Sequence, residues 1–243
     1  MSEAAVSGTP HFSYDAHART CDPEDFLGQT KRTVHGVPLG EDQIGMIITQ
    51  IRNLLELGRD DRLAEIACGN GFLSARLFAD VRGYHGSDIS EYLIGVARKH
   101  FQRDPDFTFS QQDGLGHIRN EPRPQEYTKL LCYASAQYFS DDDLLALLRS
   151  VRQRFPRLSR VLLGNCPDRR KLEQFFHGKA PPAAELDDTG TALGRWRTPE
   201  SLCAIAKVAG WDTTIAAMPP QFSGANYRFD ALLTAQSTDG RMA

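Results

Sequence analysis

The chain of 243 residues is poor in the features that would tie it to a membrane, a nucleic acid or an oxidising compartment. No apolar run approaches the roughly 20 residues that a membrane-spanning helix needs. The net charge is only −3, so no strong positive field draws phosphate backbones or anionic lipid, which argues against nucleic acid as a partner. Cysteine is sparse and odd in number. Cys21, Cys68, Cys132, Cys166 and Cys203 are too scattered for a disulfide framework, and none stands with histidine at a zinc spacing, so no metal is expected. Met1–Pro10 is small and polar and lacks the apolar stretch of a secretory leader. These absences predict a cytoplasmic location, and there is no internal repeat to suggest a solenoid.

What remains is an ordinary globular composition, 41% hydrophobic and 24% charged, enough for one large domain with appendages. Residues 1–37 lack periodicity but mix Phe12, Tyr14, Phe26 and Val34 with histidines and arginines. Disordered tails are poorer in aromatics, so part of this segment is expected to dock on the body, residues 38–243, as a lid. From Glu41 onward Ile44, Ile47, Ile48, Ile51, Leu54 and Leu55 share a helical face, with Gly58 as the expected stop. Strands are predicted at Arg62–Ala67, Tyr84–Ile89, Phe107–Gln111, Thr128–Ala134 and Arg160–Asn165, alternating with helices for which Ser90, Ser140 and Thr198 are candidate caps. Residues 178–195 read as a long loop, and Trp211–Ala217 with Tyr227–Ala235 as a closing hairpin.

This alternation predicts an α/β, doubly wound, mostly parallel seven-stranded sheet with a C-terminal antiparallel hairpin and helices on both faces. Ligands of such sheets sit beyond the carboxyl ends of the strands, where strand order reverses. Asp88, Asp113, Ala134–Tyr138 and Asn165–Asp168 all fall at those ends. So does the stretch Leu63-Ala-Glu-Ile-Ala-Cys-Gly-Asn-Gly-Phe-Leu-Ser-Ala-Arg-Leu77, in which a strand gives way to two glycines and then to a helical pattern beginning at Phe72. Gly69 and Gly71 tolerate backbone angles that a Cβ forbids and let a ligand lie against bare main chain. The turn is expected to aim free helix N–H groups at that ligand.

Glu65-Ile-Ala-Cys-Gly-Asn-Gly71 resembles the first motif of the class I S-adenosylmethionine-dependent methyltransferases, (Asp/Glu)-x-x-x-Gly-x-Gly, and the resemblance runs on through Asp88, Asp113 and the closing hairpin, about residues 41–236. It implies the Rossmann-like methyltransferase fold, S-adenosyl-L-methionine as cofactor and methyl transfer as the activity. On this resemblance Glu65, Ala67, Cys68, Gly69, Asn70 and Gly71 cradle the methionyl part, Glu65 by accepting loop N–H groups or the cofactor's ammonium. Asp88, with Ile89, takes the ribose, two carboxylate oxygens matching a vicinal diol. Asp113 takes the adenine amine, with Gly114 and Leu115 supplying main chain and an apolar wall. Tyr92 or Tyr133 adds an aromatic face, which attracts a sulfonium as it does other cations.

Two alternatives stand beside this. A dinucleotide-dependent oxidoreductase carries Gly-x-Gly-x-x-(Gly/Ala), whereas here Ser74 occupies the third place. A non-catalytic S-adenosylmethionine-binding module is the other, because methyl transfer asks mainly for alignment and exclusion of water. Ala134-Ser-Ala-Gln-Tyr138 lacks the prolines of the nucleobase-methylating motif, and Asp141–Asp143 reads as a first helical turn complementing the dipole. The expected acceptor is therefore a small molecule, a hydroxyl of a sugar or natural-product intermediate, for which a general base would help. His35, Tyr138 and Asp168 are the candidate catalytic residues. His117 is expected to face solvent and His177 to sit at a helix end, and Arg32 is either a clamp for a carboxylate of acceptor or cofactor or a surface arginine. Residues 178–195 are a candidate acceptor-site element. Oligomeric state is not legible.

Overall fold

Unbroken burial along the central strands, as in Arg62–Ile66 and Lys129–Tyr133, with successive side chains pointing to opposite faces, is what a sheet covered on both sides requires. The computed structural model of the chain describes residues 12–236, so the part of the expected lid within residues 1–11 lies outside the described residues. Two short strands, β1 (Thr33–Val34) and β2 (Val37–Pro38), form a separate hairpin. The main sheet has seven strands: β3 (Arg62–Ile66), β4 (Gly83–Asp88), β5 (Phe107–Gln111), β6 (Lys129–Tyr133), β7 (Arg160–Pro167), β8 (Trp211–Ala217) and β9 (Arg228–Ala235). Their order is β5-β4-β3-β6-β7-β9-β8. Pairing is parallel from β5 across to β7, while β9 runs antiparallel to both β7 and β8. Strand order reverses between β3 and β6.

The helices are α1 (Tyr14–Arg19), α2 (Phe26–Gln29), α3 (Glu41–Leu55), α4 (Glu91–Phe101), α5 (Gly114–Asn120), α6 (Asp141–Arg154), α7 (Leu172–Phe176), α8 (Ala183–Leu186) and α9 (Pro199–Val208). One core lies under α5, α6 and α9 and takes Ala64, Leu130, Cys132, Val161 and Leu163 from the sheet. The other lies under α3 and α4 and takes the alternate residues Leu63, Leu131, Tyr133 and Leu162. Burying each such side chain contributes about 1.5–3 kcal/mol, so the two faces hold the sheet rigid beneath its loops. The three expected caps form: Ser90 accepts from Leu93 N–H at 3.1 Å, Ser140 from Asp143 at 3.0 Å and Thr198 from Ser201 at 3.1 Å. No helix among the described residues is long and apolar enough to cross a membrane.

Four local expectations need correction. The helix after the glycine turn is a 3-10 segment, Ser74–Asp80, rather than an α-helix from Phe72; Arg76 N–H bonds three residues back to the Leu73 carbonyl at 3.1 Å. α3 ends on Glu56 in the left-handed conformation at φ 49°, before Gly58. Residues 178–195 are not wholly loop, since they contain α8. His117 does not face solvent: it is buried, its Nδ1 2.6 Å from the Ser87 hydroxyl, and burial pushes its imidazole pKa down to about 3.

Candidate functional site

Three non-glycine residues adopt left-handed backbone where strands of the parallel sheet end: Ala67 after β3 at φ 56°, Ala134 after β6 at φ 56° and Asn165 near the end of β7 at φ 58°. Each costs on the order of 1 kcal/mol or more, and such strain gathers where a ligand must be approached. All three line one cavity of about 1230 Å³, which also takes Gly69, Asp88 and Asp113 from the neighbouring strand ends. An ordinary ligand pocket is about 300–1,000 Å³, so this one has room for more than a single small molecule.

Gly69, at φ 58°, faces the cavity, and a Cβ there would come within 3.1 Å of Thr30. Its N–H donates to Asp88 Oδ2 at 2.9 Å, and Ser90 N–H donates to Asp88 Oδ1 at 2.9 Å. Burial pushes the Asp88 carboxyl pKa up, and these main-chain donors act against that by favouring the anion. Each Asp88 oxygen keeps acceptor capacity toward the cavity. Ile89, beside it, is 72% exposed and also lines the space, an apolar side chain without a protein neighbour to cover it. Asp113 caps α5 through Gly116 N–H at 2.6 Å, with Gly114 next to it on the wall.

Other residues of the expected cradle lie beneath it. Glu65 is buried and accepts hydrogen bonds from the Ser74 hydroxyl and, at 2.6 Å, from the Tyr84 hydroxyl. It takes no loop N–H and is not a wall of the cavity; burial raises its pKa. Asn70 donates to the Phe26 carbonyl and to Gln29 Oε1, each at 2.9 Å, tying the turn to the N-terminal segment. Gly71 is packed against Phe109, whose ring a Cβ would meet at 2.8 Å. Among the described residues Cys68 and Leu115 are likewise off the cavity wall, and Tyr92 N–H is bonded to Asp15 at 2.9 Å on the outer side of α1.

The remaining walls come from segments that sequence periodicity does not place. Residues 12–39 run across the strand ends, held where Asp15 accepts from the Ser90 hydroxyl at 2.7 Å. They carry Arg32 to the cavity, its guanidinium 5.5 Å from the centre of the Tyr133 ring. Arg32 has no side-chain hydrogen bond or ion pair among the described residues, and burial lowers its pKa. Tyr133, 2% exposed, presents a hydroxyl with no partner, and burial raises its pKa.

Of the three candidate catalytic residues the structure brings one to the cavity. The Tyr138 hydroxyl lies 2.9 Å from that of Tyr14 and 3.0 Å from the Ala192 carbonyl, and burial raises its pKa. His35 is exposed at the tip of the β1–β2 hairpin, where its left-handed backbone serves the turn, and is not part of the wall. Asp168 is 4% exposed and turned into the protein, pairing with Arg170 at 2.8 Å. A bulge between Leu163 and Cys166 shifts the register of β7, so Asn165 rather than Asp168 is the polar residue that faces the cavity. Among the described residues no cluster suits a metal ion; Asp141 instead binds Arg195 and Arg197 at 3.0 and 2.9 Å.

Comparison with known proteins agrees with this geometry. Residues 63–155 match the family model described as a methyltransferase domain. No curated protein sequence matches the chain. Among solved structures it resembles an S-adenosylmethionine-dependent methyltransferase from Clostridium acetobutylicum (14% identity, 85% of this chain and 96% of that one, TM-score 0.60). It also resembles the cyclopropane synthase MmaA2 from Mycobacterium tuberculosis (15% identity, 93% and 99%, TM-score 0.66). A third is the magnesium protoporphyrin IX methyltransferase of Synechocystis with bound S-adenosylmethionine (14% identity, 92% and 90%, TM-score 0.56). At these identities the likeness is one of fold.

Proposed function

We propose that this chain is an S-adenosylmethionine-dependent methyltransferase, a reading supported by the match of residues 63–155 to a methyltransferase domain and by the fold, and that it methylates a hydroxyl group of a small-molecule acceptor, a sugar or natural-product intermediate. The observation that carries the reading is the roof over the strand ends. Phe12 N–H donates to the Gly190 carbonyl at 2.7 Å, and the Tyr14 hydroxyl meets that of Tyr138, so the N-terminal segment and residues 178–195 join above the cavity. A polymer needs an open face, whereas a roofed space of this size suits a small acceptor. Residues 1–37, described from residue 12 onward, act as the lid in this reading, and the enzyme works in the cytoplasm.

The residues present fit the cofactor. Gly69 leaves bare backbone for its methionyl part, and Arg32 lacks the anion that the carboxylate would supply. The free lone pairs of Asp88 take the ribose hydroxyls, Ile89 covers one adenine face and Asp113 accepts from the adenine amine. S-adenosylmethionine, when bound, supplies a methyl group already activated on a sulfonium sulfur. The work left to this chain is alignment of the acceptor and exclusion of water. Tyr138, a weak acid whose pKa burial raises further, orients the acceptor by hydrogen bonding with Tyr14 rather than removing its proton at neutral pH; as the acceptor oxygen gains the methyl group, its hydroxyl proton is released to solvent. His35 and Asp168 have no part in this mechanism, for the placements given above.

Incubation with methyl-labelled cofactor and a panel of sugars, phenols, RNA, DNA and protein tests the reading. Label is expected in small hydroxyl compounds. Label confined to a polymer would overturn it.

A further inference from the structure

The charged walls of the cavity include Asp88 and Asp113, at the ends of β4 and β5, and two arginines near the Tyr133 ring, Arg32 and Arg228, the latter at the start of β9. One Arg228 nitrogen donates to the Asn165 carbonyl at 2.7 Å, and no carboxylate pairs with the guanidinium among the described residues. Beside it Asn165, 8% exposed, lines the cavity with a side-chain oxygen that has no partner. The bulge in β7 and the left-handed backbone at Asn165 hold it there, and Asp230 Oδ1 anchors its main-chain N–H at 2.6 Å. The unpartnered Tyr133 hydroxyl belongs to the same wall. Phe175 packs 5.3 Å from Trp196 and 4.8 Å from Tyr227, centre to centre, and all three are cavity walls. Among the described residues Trp196 Nε1 and Gln137 Oε1, on the same cavity, also lack partners. Buried polar groups are almost always hydrogen-bonded, so these four and a partly used guanidinium fork beside an aromatic wall mark a recognition site.

We propose that the acceptor carries a carboxylate on a ring-shaped body. Arg228 holds the carboxylate, whose two oxygens match the planar fork better than any neutral group does. The ring lies against Phe175, Trp196 and Tyr227, and the side-chain oxygen of Asn165 accepts a hydrogen bond from the hydroxyl to be methylated. This rests on the methyl-transfer reading and adds to it the chemical class of the acceptor.

The test is binding to the protein saturated with S-adenosylhomocysteine, using matched probes: 4-hydroxybenzoate against 4-hydroxybenzamide, and glucuronate against glucose. The acids are expected to bind at least about tenfold more tightly than their neutral partners. Arg228→Gln should erase that preference and Arg228→Lys restore part of it, with S-adenosylhomocysteine affinity moved less than about twofold in both. Equal binding of acid and neutral probes overturns the proposal. So does a preference that survives Arg228→Gln, or no saturable binding of either acid at millimolar concentration. Failure of the wild-type protein to bind S-adenosylhomocysteine would instead remove the cofactor reading on which the proposal stands, so the two failures are told apart.

Discussion

Arg32 is where cofactor binding and apoprotein stability come apart. Its guanidinium lies over the Tyr133 ring without an anionic partner among the described residues, and burial lowers its pKa. In Arg32→Met the apolar stem remains and the charge goes. A hydrogen bond to a charged group is worth about 1.5–3 kcal/mol, so S-adenosylhomocysteine should bind about 10- to 150-fold more weakly by calorimetry. Methylthioadenosine, which lacks the amino-acid carboxylate, should bind both proteins within about twofold. The unliganded variant should melt no lower than wild type, because the half-buried guanidinium makes no hydrogen bond or ion pair among the described residues that its removal would break. An equal loss for both ligands would refute the clamp, since a general distortion of the turn would then explain it. An unchanged affinity for S-adenosylhomocysteine would refute it outright.

Asp88→Ala should weaken S-adenosylhomocysteine binding by about 1–3 kcal/mol, the scale for stranding buried hydrogen-bond partners; calorimetry showing no change would remove the ribose assignment. Gly164→Ala places a Cβ against the Tyr133 ring, so cofactor affinity and the urea midpoint should both fall, the latter by about 1–3 kcal/mol of stability. Unaltered values would mean that the Tyr133 ring yields freely. His117 has a folded pKa of about 3 against an ordinary value of about 6.5. Its neutral form therefore contributes stability above the unfolded pKa that is lost as pH falls, at roughly 1.4 kcal/mol per pH unit. Urea unfolding between about pH 7 and about pH 4 should show a shallower slope for His117→Gln, and equal slopes would exclude His117 as a source of acid sensitivity.

Legibility followed the kind of force involved. The seven strands, their alternation with helices and the caps at Ser90, Ser140 and Thr198 are set by local pattern, and they stand within a residue or two of where that pattern places them. Gly69, Asp88 and Asp113 were readable because a turn, a strand end and a helix cap are local events. The Arg228 site was not. Its side chain meets Asn165 across the β7–β9 pairing, which no sequence window spans. Trp196 and Phe175 lie in segments without periodicity, placed by packing against one another. The burial of His117, in α5, is not visible in its own segment because its neighbour in space is Ser87, on β4.

The same reasoning explains why Asp168 drew attention that belonged to Asn165. Counting outward along a regular strand, alternation puts a fixed set of side chains on each face. One bulge between Leu163 and Cys166 breaks that count, and the residue in the left-handed conformation turns toward the cavity. Ala67 and Ala134 break local rules in the same way at the ends of β3 and β6. A sequence specifies one fold when its local preferences agree, and disagreement confined to a few places marks where function was selected against local stability. Among the described residues seven non-glycine positions are left-handed: Lys31, Ala67, Ala134 and Asn165 line the cavity, while His35 serves a hairpin turn and Glu56 and His177 end helices. Ala134 and Asn165 lie outside the glycine motif, so their place on the cavity supports the site independently of the residues by which the motif is recognised. Relieving the backbone strain tests the claim: Asn165→Gly should raise the urea midpoint, since glycine adopts a φ of 58° without the Cβ penalty, while weakening binding of the carboxylate probes. If stability fell instead, the conformation would be carried by the Asn165 side chain itself, and strain would not be the mark of this site.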